Sequence, residues 1–189
     1  MPRLFFALWP DAAVRDELYR AAQAAHDGSG KSSNGTRAKP GTSGSKPAGR
    51  LMRRDNLHQT LVFVGSVAAE RIAGLEAAAA AIMVPAFKLA WGTTGYWRHN
   101  RIIWAAPGAM PPPLIELVGA LEHVLAGAGI EYDDRPYHAH VTLVRDARAP
   151  AVLPSLRFDW LVREFALIES GRDPRGVAYR PLARWPLAG

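Results

Sequence analysis

Two five-residue segments, His58-Gln59-Thr60-Leu61-Val62 and His140-Val141-Thr142-Leu143-Val144, agree at four positions and stand 82 residues apart. This duplication constrains the fold more than any other feature of the chain. Each copy closes a succession of strand, helix and strand, once before residue 65 and once before residue 145. Two copies are too few for a solenoid, so the economical geometry is a pair of similar lobes facing one cleft. Six His and six Thr scattered over this length would give about 0.2 His-x-Thr pairs by chance, which makes two copies, both followed by Leu-Val, a specific signal.

Hydrophobic periodicity predicts helices over 11–25, 67–83 and 111–127. The first follows Pro10-Asp11, the second has Ser66 as a cap and Glu70 in its first turn, and the third opens on Pro111 to Pro113 and ends at Gly127. Strands are predicted at 3–9, 50–54, 57–64, 86–97, 101–106, 130–134, 137–145, 163–170 and 177–185. Trp97 to Arg101 supplies a hairpin turn between two of them. The pattern predicts an α+β chain: bilobal, two antiparallel sheets with flanking helices, and pseudo-twofold symmetry around a central cleft. Residues 1–189 form one domain in this reading. From His26 to Gly49 the chain is dense in Gly, Ser, Pro and Lys with no apolar residue larger than Ala, so a disordered loop insertion is expected at 26–49.

The chain has no cysteine, which removes disulfides, thiolate nucleophiles and Cys-based zinc sites from consideration. Chemistry must come from His, hydroxyls, carboxylates and Arg. Lys and Arg number 23 against 17 Asp and Glu, and 19 of the 23 are Arg, whose planar fork pairs bidentately with phosphate. Part of that charge, Lys31, Arg37, Lys39 and Lys46, falls in the 26–49 segment, which weakens net charge as an argument for an anionic partner. The apolar stretch Leu4 to Trp9 is too short for a signal-peptide core, and no stretch reaches the roughly 20 apolar residues that span a bilayer. A cytoplasmic protein without membrane association, working as a monomer, is the expectation.

On a strand, residues i and i+2 share a face, so His58 sits with Thr60 and His140 with Thr142 while Leu61, Phe63, Val141 and Leu143 face the core. Opening a cyclic phosphodiester needs a base for the attacking water, an acid for the leaving alkoxide, and donors for the non-bridging oxygens. Two facing His-Thr pairs supply all three. An ordinary imidazole titrates near pH 6.5, so one copy can be neutral while the other is protonated. The hydroxyls suit phosphate orientation better than attack, because no further base is available to activate them.

The other histidines read differently. His26 in the insertion, His99 in the turn and His123 on the polar face of its helix are surface residues. His138-x-His140 has metal-ligand spacing, and Asp133 and Asp134 precede it, but nothing around His58 offers an acidic or cysteine partner in a recognisable metal pattern. No metal and no cofactor are expected, and His138 is left to tune its neighbour.

With these residues in hand, the chain resembles the two-histidine phosphoesterase superfamily, and within it the bacterial RNA 2',3'-cyclic phosphodiesterases, also called 2'-5' RNA ligase-like proteins. Arg3 to Leu8 is similar to the family's opening strand, Asn56 to Leu61 with Val64-Gly65 to its first motif, Arg101 to Trp104 to its central strand, and His140 to Arg145 to its second motif. The resemblance implies hydrolysis of an RNA terminal 2',3'-cyclic phosphate to a 2'-phosphate, with His58 as proton donor to the 3' oxygen and His140 as the base. It implies that Thr60 and Thr142 hold the phosphate, with Arg145 beside them, although strand alternation alone puts Arg145 on the face away from His140. The insertion and the Ala139 that replaces a family proline are departures that bear on substrate preference. An RNA-binding module without turnover, and 2'-5' ligation in the reverse direction, are the alternatives. A binder has no need of two matched His-Thr pairs.

Overall fold

The structure, a computed structural model, describes residues 1–29 and 49–189. Helix α1, Ala12–Ser29, starts where the Asp11 carboxylate accepts the backbone N–H of Val14 at 2.9 Å. It buries Val14, Leu18, Ala21, Ala22 and Ala25, one stripe at helical spacing. The helix continues four residues beyond the predicted end, so His26 to Ser29 belong to it rather than to the expected insertion, whose residues 30–48 lie outside the described chain. Helix α2, Ala69–Ala79, follows Ala68, which offers no side-chain cap, so the expected Ser66 cap is corrected: Ser66 is the last residue of the preceding strand. Helix α3, Pro112–Gly127, turns Leu114, Leu117, Val118, Leu121 and Leu125 inward, each burial contributing about 1.5–3 kcal/mol.

The strands are β1 Arg3–Leu8, β2 Arg50–Leu51, β3 Gln59–Ser66, β4 Phe87–Trp97, β5 Ile102–Pro107, β6 Val141–Arg145, β7 Phe158–Val162, β8 Glu164–Asp173 and β9 Gly176–Pro186. They pair throughout in antiparallel fashion in the order β7-β4-β5-β6-β3-β1-β8-β9, with β2 beside β6. The two sheets expected from the duplication are therefore one curled antiparallel sheet. The reason is that the two motif strands, β3 and β6, pair with each other, although only through Gln59 opposite Val141. The curl brings the chain after β9 back to the start of β4, where Ala188 exchanges backbone hydrogen bonds with Val84 and Ala86.

Other boundaries also differ from expectation. Residues 54–56 form a 3-10 turn where a strand was expected to end, and 130–134 is not a strand. The second motif strand begins at Val141, since Pro136 and the turn around Asp133 and Arg135 keep residues 137–140 off the ladder. Strand β7 was not anticipated, although Phe158, Trp160 and Val162 alternate with polar or exposed neighbours in the period-two manner.

Gln59, at the junction, is 0% exposed, and its amide Nε2 donates to the Tyr137 hydroxyl at 2.8 Å. This bond ties β3 to the segment leading into the second motif. Tyr137→Phe removes the acceptor and leaves the buried amide unpaired, which is expected to cost about 1–3 kcal/mol in urea unfolding. Adding Gln59→Leu to that variant should recover part of the loss. An unchanged unfolding midpoint in Tyr137→Phe would show that the bond contributes nothing to the junction.

Candidate active site

The face of each motif side chain follows from the junction. Gln59 and Val141 are paired and both buried, so they point to the same side of the sheet. One residue away on each strand, His58, Thr60, His140 and Thr142 therefore share the opposite side. Antiparallel direction sets His58 towards Thr142 and Thr60 towards His140. All four side chains, with Met52 and Arg145, line one cavity of about 70 Å³. At about 30 Å³ per liquid water, such a space takes a group of a few heavy atoms.

Beyond each Thr the alternation breaks in the same way. In the β1–β3 ladder Phe6 opposes Val62 and Ala7 opposes Thr60, so Leu61 is an extra residue, a β-bulge. In the β5–β6 ladder Ile103 opposes Val144 and Trp104 opposes Thr142, so Leu143 is the extra residue. Leu61 and Val62 are both buried, and so are Leu143 and Val144. The next residue on each strand is thereby returned to the cleft face. Phe63, expected in the core, is 36% exposed and lines the cleft, and Arg145, expected on the far face by alternation alone, lines it beside His140.

The two imidazoles are held alike. His58 Nδ1 donates to the Asn56 carbonyl at 2.6 Å, and His140 Nδ1 donates to the His138 carbonyl at 2.8 Å. A carbonyl can only accept, so Nδ1 carries the proton and the neutral ring keeps its lone pair on Nε2. His58 Nε2 meets Thr60 Oγ1 at 3.1 Å. Loss of solvent pushes His58 down to about 4, with the Asn56 carbonyl opposing and the charges of Arg145 and His140 adding to the effect. The same causes, desolvation first and then Arg145 and His138 against the His138 carbonyl, lower His140.

Residues that motif reasoning missed set these environments. The His58 ring lies against Phe5, Trp9 and Tyr179, at centroid distances of 4.8, 5.9 and 4.9 Å. Asn56 is anchored to β9, donating from Nδ2 to the Val177 carbonyl at 2.8 Å and accepting the Tyr179 N–H at 3.3 Å, so its own carbonyl is fixed under His58. The His140 ring meets the edge of Trp97 at 4.7 Å, and Trp97 leans on Trp104 at 5.4 Å. A Cβ on Gly95 would lie 2.0 Å from the Trp104 ring, so only glycine lets that ring cross β4. No local signal marks these residues, because their contacts join β1, β4, β5 and β9 to the motifs across the sheet.

His99 and His123 are exposed as expected, whereas His26 is half-buried on α1. His138 is exposed at the cleft. Among the described residues no three His, Asp or Glu side chains converge as a metal-binding set, and Asp133 is held by the Arg135 guanidinium.

Two larger cavities flank the central one and share Thr60, Phe63 and Arg145 with it or with each other. One, about 580 Å³, lies on the His140 side with Trp97 and Tyr137 in its wall. The other, about 550 Å³, lies on the His58 side with Phe5 and Tyr179 in its wall.

These hydrogen bonds and burial have a spectroscopic consequence. In a pH titration followed by imidazole nitrogen NMR, His58 should remain the neutral Nδ1–H tautomer through pH 5 and take up its second proton near pH 4. Titration at or above pH 6.5, or an Nε2–H tautomer, would contradict the site described.

Comparison with known proteins gives a consistent picture. The 2'-5' RNA ligase superfamily matches residues 36–174. The RNA 2',3'-cyclic phosphodiesterase of Escherichia coli (strain K12) is 38% identical over 142 residues, 74% of this chain and 81% of that protein. The protein of the same name from Thermus thermophilus is 31% identical over 153 residues, 70% of this chain and 73% of its own length. The crystal structure of E. coli LigT complexed with 3'-AMP superposes with a TM-score of 0.82 at 32% identity, over 100% of both chains. The sequence match and the fold together place this chain in the 2'-5' RNA ligase superfamily, to which it belongs.

Proposed function

We propose that the chain is a phosphodiesterase that hydrolyses the 2',3'-cyclic phosphate at an RNA end to a 2'-phosphate, using His58 as acid and His140 as base. The observation that carries this reading is the matched pair of imidazoles, each tied through Nδ1 to the carbonyl two residues earlier, around one phosphate-sized cavity. Relatives named RNA 2',3'-cyclic phosphodiesterase support the substrate class. The strand order outward from the junction, β3-β1-β8-β9 on one side and β6-β5-β4-β7 on the other, supports a bilobal, pseudo-twofold arrangement of a single domain. The reading is completed by a monomer acting on RNA in the cytoplasm. Among the described residues no helix is long and apolar enough to cross a membrane.

The step runs as follows. The phosphate occupies the central cavity with its non-bridging oxygens against Thr60, Thr142 and Arg145, which stabilise the charge that builds on them. His140 Nε2 takes a proton from a water that attacks phosphorus on its side. His58 Nε2–H gives its proton to the 3' oxygen as the P–O3' bond breaks, leaving a 3'-hydroxyl and a 2'-phosphate. In-line displacement puts the ribose on the His58 side and water on the His140 side. The free site holds both imidazoles below their ordinary value, so the acid must be charged by the substrate itself. A phosphodiester anion beside Nε2 raises its proton affinity.

The pH dependence follows. The reactive form needs one imidazole protonated and the other neutral. Below the lower value both are protonated and the base is lost, while above the higher value both are neutral and the acid is lost. Because both are pushed below 6.5 in the free site, kcat/KM should be bell-shaped with its maximum below pH 6.5, and the kcat maximum should lie at higher pH. A kcat/KM maximum above pH 7 would contradict this.

The activity itself is tested with an oligonucleotide ending in 2',3'-cyclic phosphate, in the presence of chelator. The wild type is expected to form the 2'-phosphate, with kcat reduced by about 10²–10⁴ in His58→Ala and in His140→Ala. Turnover that survives both substitutions would sink the assignment. RNA bound without turnover by the wild type would favour a binding module.

A further inference from the structure

The two flanking cavities differ sharply in charge. The His140-side cavity is lined by Arg135 and Arg145 but also by Glu122 and Asp133. The His58-side cavity is lined by Arg3, Arg50, Arg53, Arg145 and Arg175, and among its described lining residues there is no carboxylate. Arg53 and Arg175 are both committed to Asp173, at 2.9 and 3.7 Å. Arg3, Arg50 and Arg145 have no carboxylate partner among the described residues. Arg3 instead stands over the Phe63 ring, 5.5 Å from its centroid, at the mouth of the cleft.

Arg50 is placed by backbone constraint. Gly49 has φ +104, and a Cβ there would lie 2.8 Å from the Arg145 carbonyl oxygen and 2.9 Å from Val144 Cγ1. Only glycine lets the chain press against β6 at that point, and the next residue, Arg50, then pairs directly with Arg145. Like charges directly opposite on neighbouring strands are destabilising. The arrangement becomes favourable when an anion lies between or beside them.

From these observations we infer that Arg3 and Arg50 form a subsite for the phosphodiester on the 5' side of the terminal nucleoside. The inference rests on the proposed acid and base, because the in-line step puts the ribose, and hence the 5' continuation of the strand, on the His58 side. That side carries the unpaired arginines, while the mixed-charge His140 side is left to the attacking water. The terminal phosphate sits with Arg145 in the central cavity, and the next phosphate meets Arg3 and Arg50. The enzyme therefore prefers a cyclic end that carries a phosphate on its 5' side over a bare cyclic mononucleoside.

Three substrates test this: adenosine 2',3'-cyclic phosphate, the same compound with a 5'-phosphate, and the dinucleotide ApA ending in 2',3'-cyclic phosphate. For the wild type, both substrates with a 5' phosphate group should show kcat/KM about tenfold or more above the bare cyclic nucleoside, as one or two charge-assisted hydrogen bonds would give. Arg3→Gln and Arg50→Gln should each remove most of that advantage, while changing turnover of the bare nucleoside less than about threefold, and each should reduce the salt dependence for the dinucleotide. A gain for the dinucleotide without a gain for the 5'-phosphorylated mononucleotide would assign the preference to stacking and overturn the subsite. So would equal losses on all three substrates. Calorimetry with adenosine 2'-phosphate and with ApA bearing a 2'-phosphate separates this inference from the catalytic one. Tighter binding of the dinucleotide, lost in both variants, upholds the subsite even if nothing is turned over, and equal affinity of the two ligands overturns it whatever the turnover.

Discussion

One backbone pairing, Gln59 opposite Val141, holds the cleft together. It joins the two halves of the sheet, and by setting two buried side chains on one face it forces both His-Thr pairs onto the other. A register slip of one residue would turn one of the two His-Thr pairs into the core. The Gln59 side chain reinforces the junction from behind through Tyr137, whose hydroxyl burial holds in the protonated state. A buried amide is a demanding choice there, since its Oε1 has no hydrogen-bond partner among the described residues.

The repeated bulge explains why each motif continues with Leu-Val. A regular strand would bury one of the two and expose the other. The bulge buries both and brings the following residue back to the cleft, so the same backbone device delivers an aromatic ring at Phe63 and a cation at Arg145. Bulges commonly re-aim side chains, and here one directly follows the Thr of each motif. The two motif strands share this bulge and differ in the side chain it presents.

Electrostatically, the free site is short of negative charge. Desolvation and Arg145 lower the proton affinity of both imidazoles, and three arginines around the His58 side have no carboxylate partner among the described residues. A phosphodiester would relieve these conditions together: it would satisfy the guanidinium groups and raise the proton affinity of an imidazole beside it. The aromatic walls make this coupling strong, because Phe5, Trp9 and Tyr179 around His58 and Trp97 beside His140 exclude water that would otherwise screen the charges.

The sequence by itself determined the three helices, most strands, the antiparallel α+β class and the four motif side chains. These follow from local rules: apolar spacing of 3.6 or 2, Pro and Asp at helix starts, and a repeated pattern too improbable to be incidental. Only the tertiary structure decided that the sheet is continuous, that Phe63 and Arg145 face the cleft, and that Asn56, Tyr179 and Trp97 set the state of the two histidines. Those features depend on ladder register and on contacts between strands far apart in the chain. A bulge is visible only when two strands are laid side by side, and the pKa of an imidazole is fixed by whatever packs around it rather than by the residues that flank it.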